Sequence, residues 1–169
     1  MTVIDEIRAR RQKLADVLES KEYSGIRLIV EELYPDQAHF LFELLQNAQD
    51  TGATEAVFAL SSEKLIFEHN GRPFDKGDIE GITNIGKGTK ASDEEAIGRF
   101  GVGFKAVFAY SEPPKIFSPT FSFRIESLVL PIEIKGAPNL GSKTRFEFPF
   151  NNPKKPADRA FAEIQEGLT

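Results

Sequence analysis

The chain has 169 residues, 40% of them hydrophobic, which suffices for one domain with an apolar core and excludes a disordered tail as its main character. Its formal charge is −5, so a uniformly basic nucleic-acid surface is not indicated, and without cysteine neither a disulfide nor a thiolate metal site can form. Met1 to Leu18 is charged throughout and lacks the apolar core of a secretory signal, and no apolar run reaches membrane-span length; a cytoplasmic setting without membrane contact is the expectation.

In chain order, Ile4, Ile7, Leu14, Val17 and Leu18 recur at helical spacing and predict a helix over 2–20. A second helix is predicted over 24–33, broken by Tyr34-Pro35-Asp36. Asp36 is the candidate N-cap of a third helix over 36–51, which should stop at Thr51-Gly52. Strands follow at 54–60 and 64–69, then a turn at Gly71-Arg72-Pro73 and a short helix over 75–83 with Asp75 near its start. Gly, Lys, Thr, Ser, Asp and Glu dominate from Gly86 to Gly98, the composition of a long loop. A helix opens near Gly101 and carries Phe104, Val107 and Phe108. Strands at about 115–118, 121–126, 128–135 and 143–150 complete the sheet. Residues 151–156 read as a linker and 157–167 as a terminal helix, so the expected organisation is a domain over 1–150 and a connection over 151–169 to further domains. Helices, two strands, a loop-and-helix unit and several strands in that order predict an α+β two-layer α/β sandwich, with helices on one face of a mixed, mainly antiparallel sheet.

Two segments concentrate the chemistry. Glu43, Asn47 and Asp50 fall at i, i+4 and i+7, which places them within roughly 60° of one another around a helix. Such a stripe is ordinary on a solvated face. Asn, however, is a poor mid-helix residue, and it is an uncharged oxygen ligand suited to Mg²⁺ that takes its other ligands from phosphate and water. A Glu one turn earlier can orient or deprotonate a water aimed at a terminal phosphate. The second segment, Gly98-Arg99-Phe100-Gly101-Val102-Gly103, is a glycine-dense turn that opens a helix, and free N–H groups at a helix start form an anion site. By itself such a turn also serves as a packing hinge. It follows a basic cluster from Lys87 to Lys90 that continues to Arg99 and Lys105, read either as a solvated loop or as local neutralisation of an anion.

Glu-x-x-x-Asn-x-x-Asp, then Asn-Gly after a strand, then Gly-x-Phe-Gly-x-Gly-Phe together resemble the Bergerat-fold (GHKL) ATPase superfamily, over about residues 38–148. The run from Ile97 to Val107 resembles the chaperone-like branch, in particular the ATP-binding modules of the sacsin and NO VEIN type. The resemblance implies the Bergerat ATP-binding fold with ATP and Mg²⁺ as cofactors. It makes Asn47 the Mg²⁺ ligand, Glu43 the general base, and Asp50 part of the polar network beside the nucleotide. Asn84, Gly86 and Lys87 fall in its lid segment, with Gly86, Gly88 and Gly98 as hinges. Backbone amides of Arg99, Phe100, Gly101, Val102, Gly103 and Phe104 would hold the phosphates, and Thr144 would support adenine recognition.

The sequence departs from the family at Asp-x-Gly-x-Gly, whose Asp accepts a hydrogen bond from the adenine amino group. Here the segment is His69-Asn70-Gly71-Arg72-Pro73. A neutral imidazole can accept one hydrogen bond, so His69 is the candidate adenine reader, beside Gly71. Pro73 stiffens the turn. The function implied is a slow ATPase whose lid closure drives change in a larger chaperone-like protein, with further domains, a protein partner and a homodimer as candidate assemblies. The alternatives are a non-hydrolysing nucleotide switch, an interaction module with a degenerate pocket, and a histidine kinase catalytic domain, for which His39 and His69 are the only two histidines.

Overall fold

The computed structural model describes residues 1–23, 25, 29, 39–84 and 102–169. The helix expected over 24–33 (all but Gly25 and Ile29), the Asp36 cap and the loop from Gly86 to Gly98 lie outside them. The first helix, α1 (Val3–Glu19), is fixed at its start by a reciprocal pair: the Asp5 amide donates to the Thr2 hydroxyl, and the Thr2 amide donates to the Asp5 carboxylate. Ile4, Ile7, Ala15 and Leu18 are buried, while Leu14 and Val17 face outward. The second, α2 (Phe40–Asp50), ends at Thr51, and Gly52 adopts φ +78, the left-handed conformation that terminates a helix.

Strands β1 (Ala56–Leu60) and β2 (Lys64–His69) form a hairpin, followed by α3 (Lys76–Ile82). Asp75 and Asp78 cap α3 reciprocally, and the Arg72 guanidinium bonds both carboxylates. Where sequence predicts a helix near Gly101, residues Val102–Ala109 form a 3₁₀ segment with Phe104, Val107 and Phe108 fully buried. Four strands follow: β3 (Lys115–Phe117), β4 (Ser122–Glu126), β5 (Leu130–Glu133) and β6 (Thr144–Pro149). The strand expected over 128–135 is shorter because Ser127 and Leu128 turn left-handed, at φ 52 and 69, to reverse the chain after β4.

The sheet order is β1-β2-β6-β3-β4-β5, and every pairing among the described residues is antiparallel, not mixed as expected. Tight reversals set the pairs that neighbour in sequence, and β6 inserts between β2 and β3 antiparallel to both. Alternation then separates two faces. Leu65, Phe67, Ile116, Phe123, Ile125, Phe146 and Phe148 point inward and are buried with Phe40, Leu44, Phe104 and Phe108 in one core. The outer face carries Glu68, Arg145, Glu147 and Lys64, with Arg145 bonded to Glu68 and Lys64 facing Glu147 at 3.9 Å.

The last helix, α4 (Ala157–Gly167), packs on the same core through Ala160 and Ile164, both 0% exposed. Lys155 holds its approach: Nζ lies 4.2 Å from the centre of the buried Tyr110 ring and 2.6 Å from Glu163. Among the described residues no helix is long and apolar enough to cross a membrane.

Candidate functional site

Helix α2 buries Phe40, Leu41, Leu44 and Ala48 against the core, which turns the face carrying Glu43 and Asn47 toward the 3₁₀ segment. Asn47 is buried at 2% exposure, Glu43 is half-buried, and Asp50 at the helix end is exposed. Gly103 closes directly on this helix. A Cβ placed there would lie 2.9 Å from Glu43 Oε1, 3.1 Å from Glu43 Cγ and 3.1 Å from the His39 ring. Its neighbour Phe104 anchors the turn, with its ring centre 6.2 Å from Phe148 and 6.5 Å from Phe146. The carboxylate helix and the glycine turn, far apart in sequence, therefore touch.

A second cluster forms where three strand ends meet. Because β2 and β6 are antiparallel, His69 at the end of β2 stands opposite Thr144 at the start of β6, and Ser118 follows the end of β3 beside them. Both His69 and Thr144 are buried on the inner face. The Thr144 hydroxyl donates to Ser118 Oγ at 3.4 Å, and Ser118 Oγ accepts the Phe74 amide at 2.9 Å. His69 Nδ1 accepts the Gly71 amide at 3.0 Å, so the imidazole shapes the turn that follows it. Its other nitrogen, Nε2, is buried without a hydrogen-bond partner. Burial pushes the imidazole down to about 4, partly offset by the charge of Asp78, so the ring is neutral at pH 7.

Gly71 is required by packing. The Arg72 amide donates to Thr51 O at 3.0 Å, and this draws the turn onto the end of α2. A Cβ on Gly71 would sit 2.0 Å from Thr51 Oγ1 and 2.9 Å from Thr51 Cβ. The same contact joins the His69 cluster to the helix that carries Asn47.

Lys105 is not part of a basic loop surface. It is 2% exposed, and its Nζ donates to Ile82 O at 2.6 Å and Leu128 O at 2.7 Å. Burial, with Arg11 nearby, pushes its ammonium down to about 7. Arg11 donates to Thr83 O and Oγ1 and to Glu80 O, so two cations close the C-terminal end of α3. Asn84, just beyond, is exposed. Gly86, Lys87, Arg99, Phe100 and Gly101 lie outside the described residues, as does the Val102 side chain. A separate open cleft of about 560 Å³ lies between the 118–122 turn and the 133–141 loop; Ser118 borders it, but none of the expected nucleotide contacts does.

Ser118 and the buried seat of Lys105 were not evident in the sequence. Ser118 has only a Ser-Pro turn as its signal, and Lys105 lies in a run whose apolar neighbours, Phe104, Ala106 and Val107, are themselves all buried.

Comparison with known proteins gives a partial family match. The Sacsin domain family matches residues 63–126, the stretch from β2 to the end of β4. This chain resembles the sacsin and NO VEIN type of module. It is 33% identical over 107 residues to Protein NO VEIN of Arabidopsis thaliana, a match covering 60% of this chain and 4% of that protein. It is 34% identical over 102 residues to human sacsin, covering 50% of this chain and 2% of that protein. The chain thus spans a small fraction of the relatives it matches. The fold is shared with the crystal structure of the N-terminal domain of a DNA repair protein, at a TM-score of 0.59 and 12% identity, over 84% of this chain and 46% of that one.

Proposed function

We propose that this sacsin-type module binds ATP with Mg²⁺ and acts as a slow ATPase whose lid closure drives change in a larger chaperone-like protein. The observation that carries this reading is the approach of Gly103 onto Glu43, on the helix that also buries Asn47. A phosphate chain lying on the glycine turn would then run beside a carboxylate and an amide oxygen on one helix.

The residues present suit the implied ligands. Asn47 offers one uncharged oxygen, and among the described residues no group of three His, Asp or Glu could hold an ion unaided. Phosphate and water would supply the remaining Mg²⁺ ligands. A bound Mg²⁺ supplies charge neutralisation for the phosphates. Glu43 would orient a water and hold its proton, Asp50 and Asn84 would border the nucleotide, and the amides from Arg99 to Phe104 would take the phosphate oxygens.

The test is calorimetry with Mg²⁺ and ATP. Asn47→Ala is expected to abolish Mg²⁺-dependent binding, and Glu43→Ala to keep binding while removing turnover. Absence of heat and of any thermal shift at millimolar nucleotide would reject the reading; unchanged turnover in Glu43→Ala would reject the base.

A nucleotide switch without hydrolysis is favoured by one set of contacts. Three of the cations that follow Thr144 are engaged elsewhere: Arg145 with Glu68 on the outer face, and Lys155 and Arg159 with Glu163. None of these three is placed to complete a phosphate site. Single-turnover measurements at high protein concentration separate the two: release of phosphate supports the ATPase, and none supports the switch.

A further inference from the structure

The buried imidazole of His69 presents one nitrogen that has done its work and one that has not. Nδ1 accepts the Gly71 amide at 3.0 Å, so it carries a lone pair and no proton. A neutral imidazole has one N–H, and it must therefore sit on Nε2. That Nε2–H is buried without an acceptor, and a buried donor left unpaired weakens a fold. Natural folds keep few such groups, and each calls for a reason.

We propose that His69 Nε2–H is a base-reading donor, and that the nucleotide edge facing it presents a hydrogen-bond acceptor. This rests on the nucleotide reading above and reverses the polarity implied by the family, whose Asp accepts. The Nδ1 contact with Gly71 fixes the ring in place. The outer atom then has the opposite sense.

The surroundings define the edge more closely. Thr144, the cross-strand partner of His69, spends its hydroxyl proton on Ser118 and keeps lone pairs on Oγ1. His69 and Thr144 together offer a donor beside an acceptor. The complement is an acceptor beside a donor, as on the Watson–Crick edge of a purine. Adenine supplies it as N1 beside the 6-amino group, and a 6-oxopurine supplies it as O6 beside N1–H. Both are the same chemistry, and neither places an amino group against His69.

Two measurements test this on the intact chain. Histidine-selective ¹⁵N NMR, with His39→Gln to assign the two rings, is expected to show Nδ1 unprotonated and Nε2 protonated in the free protein. Addition of a purine nucleotide with Mg²⁺ should shift the Nε2–H resonance, and inorganic triphosphate should leave it unmoved. A proton on Nδ1, or an Nε2 resonance unmoved by a nucleotide that binds, overturns the proposal. Calorimetry with ATP, 1-deaza-ATP and ITP then identifies the acceptor. A loss of about tenfold or more for 1-deaza-ATP relative to ATP assigns N1. ITP binding at least as tightly as ATP assigns O6. Rejection of ITP with 1-deaza-ATP bound as tightly as ATP places the amino group against His69 and overturns the proposal. Absence of heat from every nucleotide overturns the nucleotide reading and this assignment with it; heat with a silent Nε2 overturns the assignment alone.

Discussion

Gly103 has no side chain because Glu43 and His39 occupy the space one would need. Its backbone is not in the left-handed region, so close approach is the whole requirement. Gly103→Ala is expected to lower stability by about 1–3 kcal/mol and to displace Glu43. Urea denaturation checks the first effect. A variant as stable as the parent would show that Glu43 moves aside freely. His69 sets a second, pH-linked expectation. Its imidazole sits near 4 in the folded chain and at the ordinary 6.5 when unfolded. Between those values the unfolded chain binds more proton, so this contribution is intact above pH 6.5 and is lost as pH falls toward 4, by about 3 kcal/mol. His69→Asn keeps a side-chain acceptor for the Gly71 amide and does not titrate. Its denaturation midpoint should therefore fall less steeply than the parent's between pH 6.5 and 4.5. Equal slopes would show that His69 is not the group responsible. Asn47 stood out by spacing and residue type and His69 through the family resemblance, but the direction of the His69 hydrogen bonds was not legible, because it depends on where the Gly71 amide points.

Helix α3 shows what elements add to residues. Two turns of helix cannot hold themselves together in water, and here both ends are held from outside. Arg72 ties the Asp75–Asp78 cap, while Arg11 from α1 and Lys105 from the 3₁₀ segment take the last carbonyls. Lys105→Met keeps most of the buried volume and removes both donors, leaving Ile82 O and Leu128 O unpaired. It is expected to cost about 2–4 kcal/mol, read by thermal or urea denaturation. A loss below about 1 kcal/mol would mean that water replaces the amine. Local signals carried the element boundaries well: β2 and α4 match the expected 64–69 and 157–167, and Asp75 caps α3 as its position suggests. The misses share a cause. The shortened β5 and the buried Lys105 both depend on the turn at Ser127-Leu128, whose left-handed backbone no glycine announces.

At the scale of the molecule, the sheet completes only when β6 enters between β2 and β3, and that event creates the His69–Thr144 pair. Strand order of this kind is set by pairing across long sequence separations, which periodicity along the chain does not encode. The α+β class was legible; the antiparallel pairing of every strand among the described residues and the meeting of three strand ends at Ser118 were not. Helix α4 belongs to the same core, since Ile164 is 0% exposed. Ile164→Ala should therefore destabilise the whole unit by about 2–4 kcal/mol in a single unfolding transition. A separate early transition for the terminal helix would contradict that. The seat of this helix also has an optical consequence. The chain contains no tryptophan and three tyrosines, and Tyr110 is packed beneath the Lys155 ammonium and bonded to Glu163 of α4. An ammonium on one face and a carboxylate at the hydroxyl polarise this ring, so near-ultraviolet circular dichroism of the unlabelled chain carries a native reporter of whether α4 is docked.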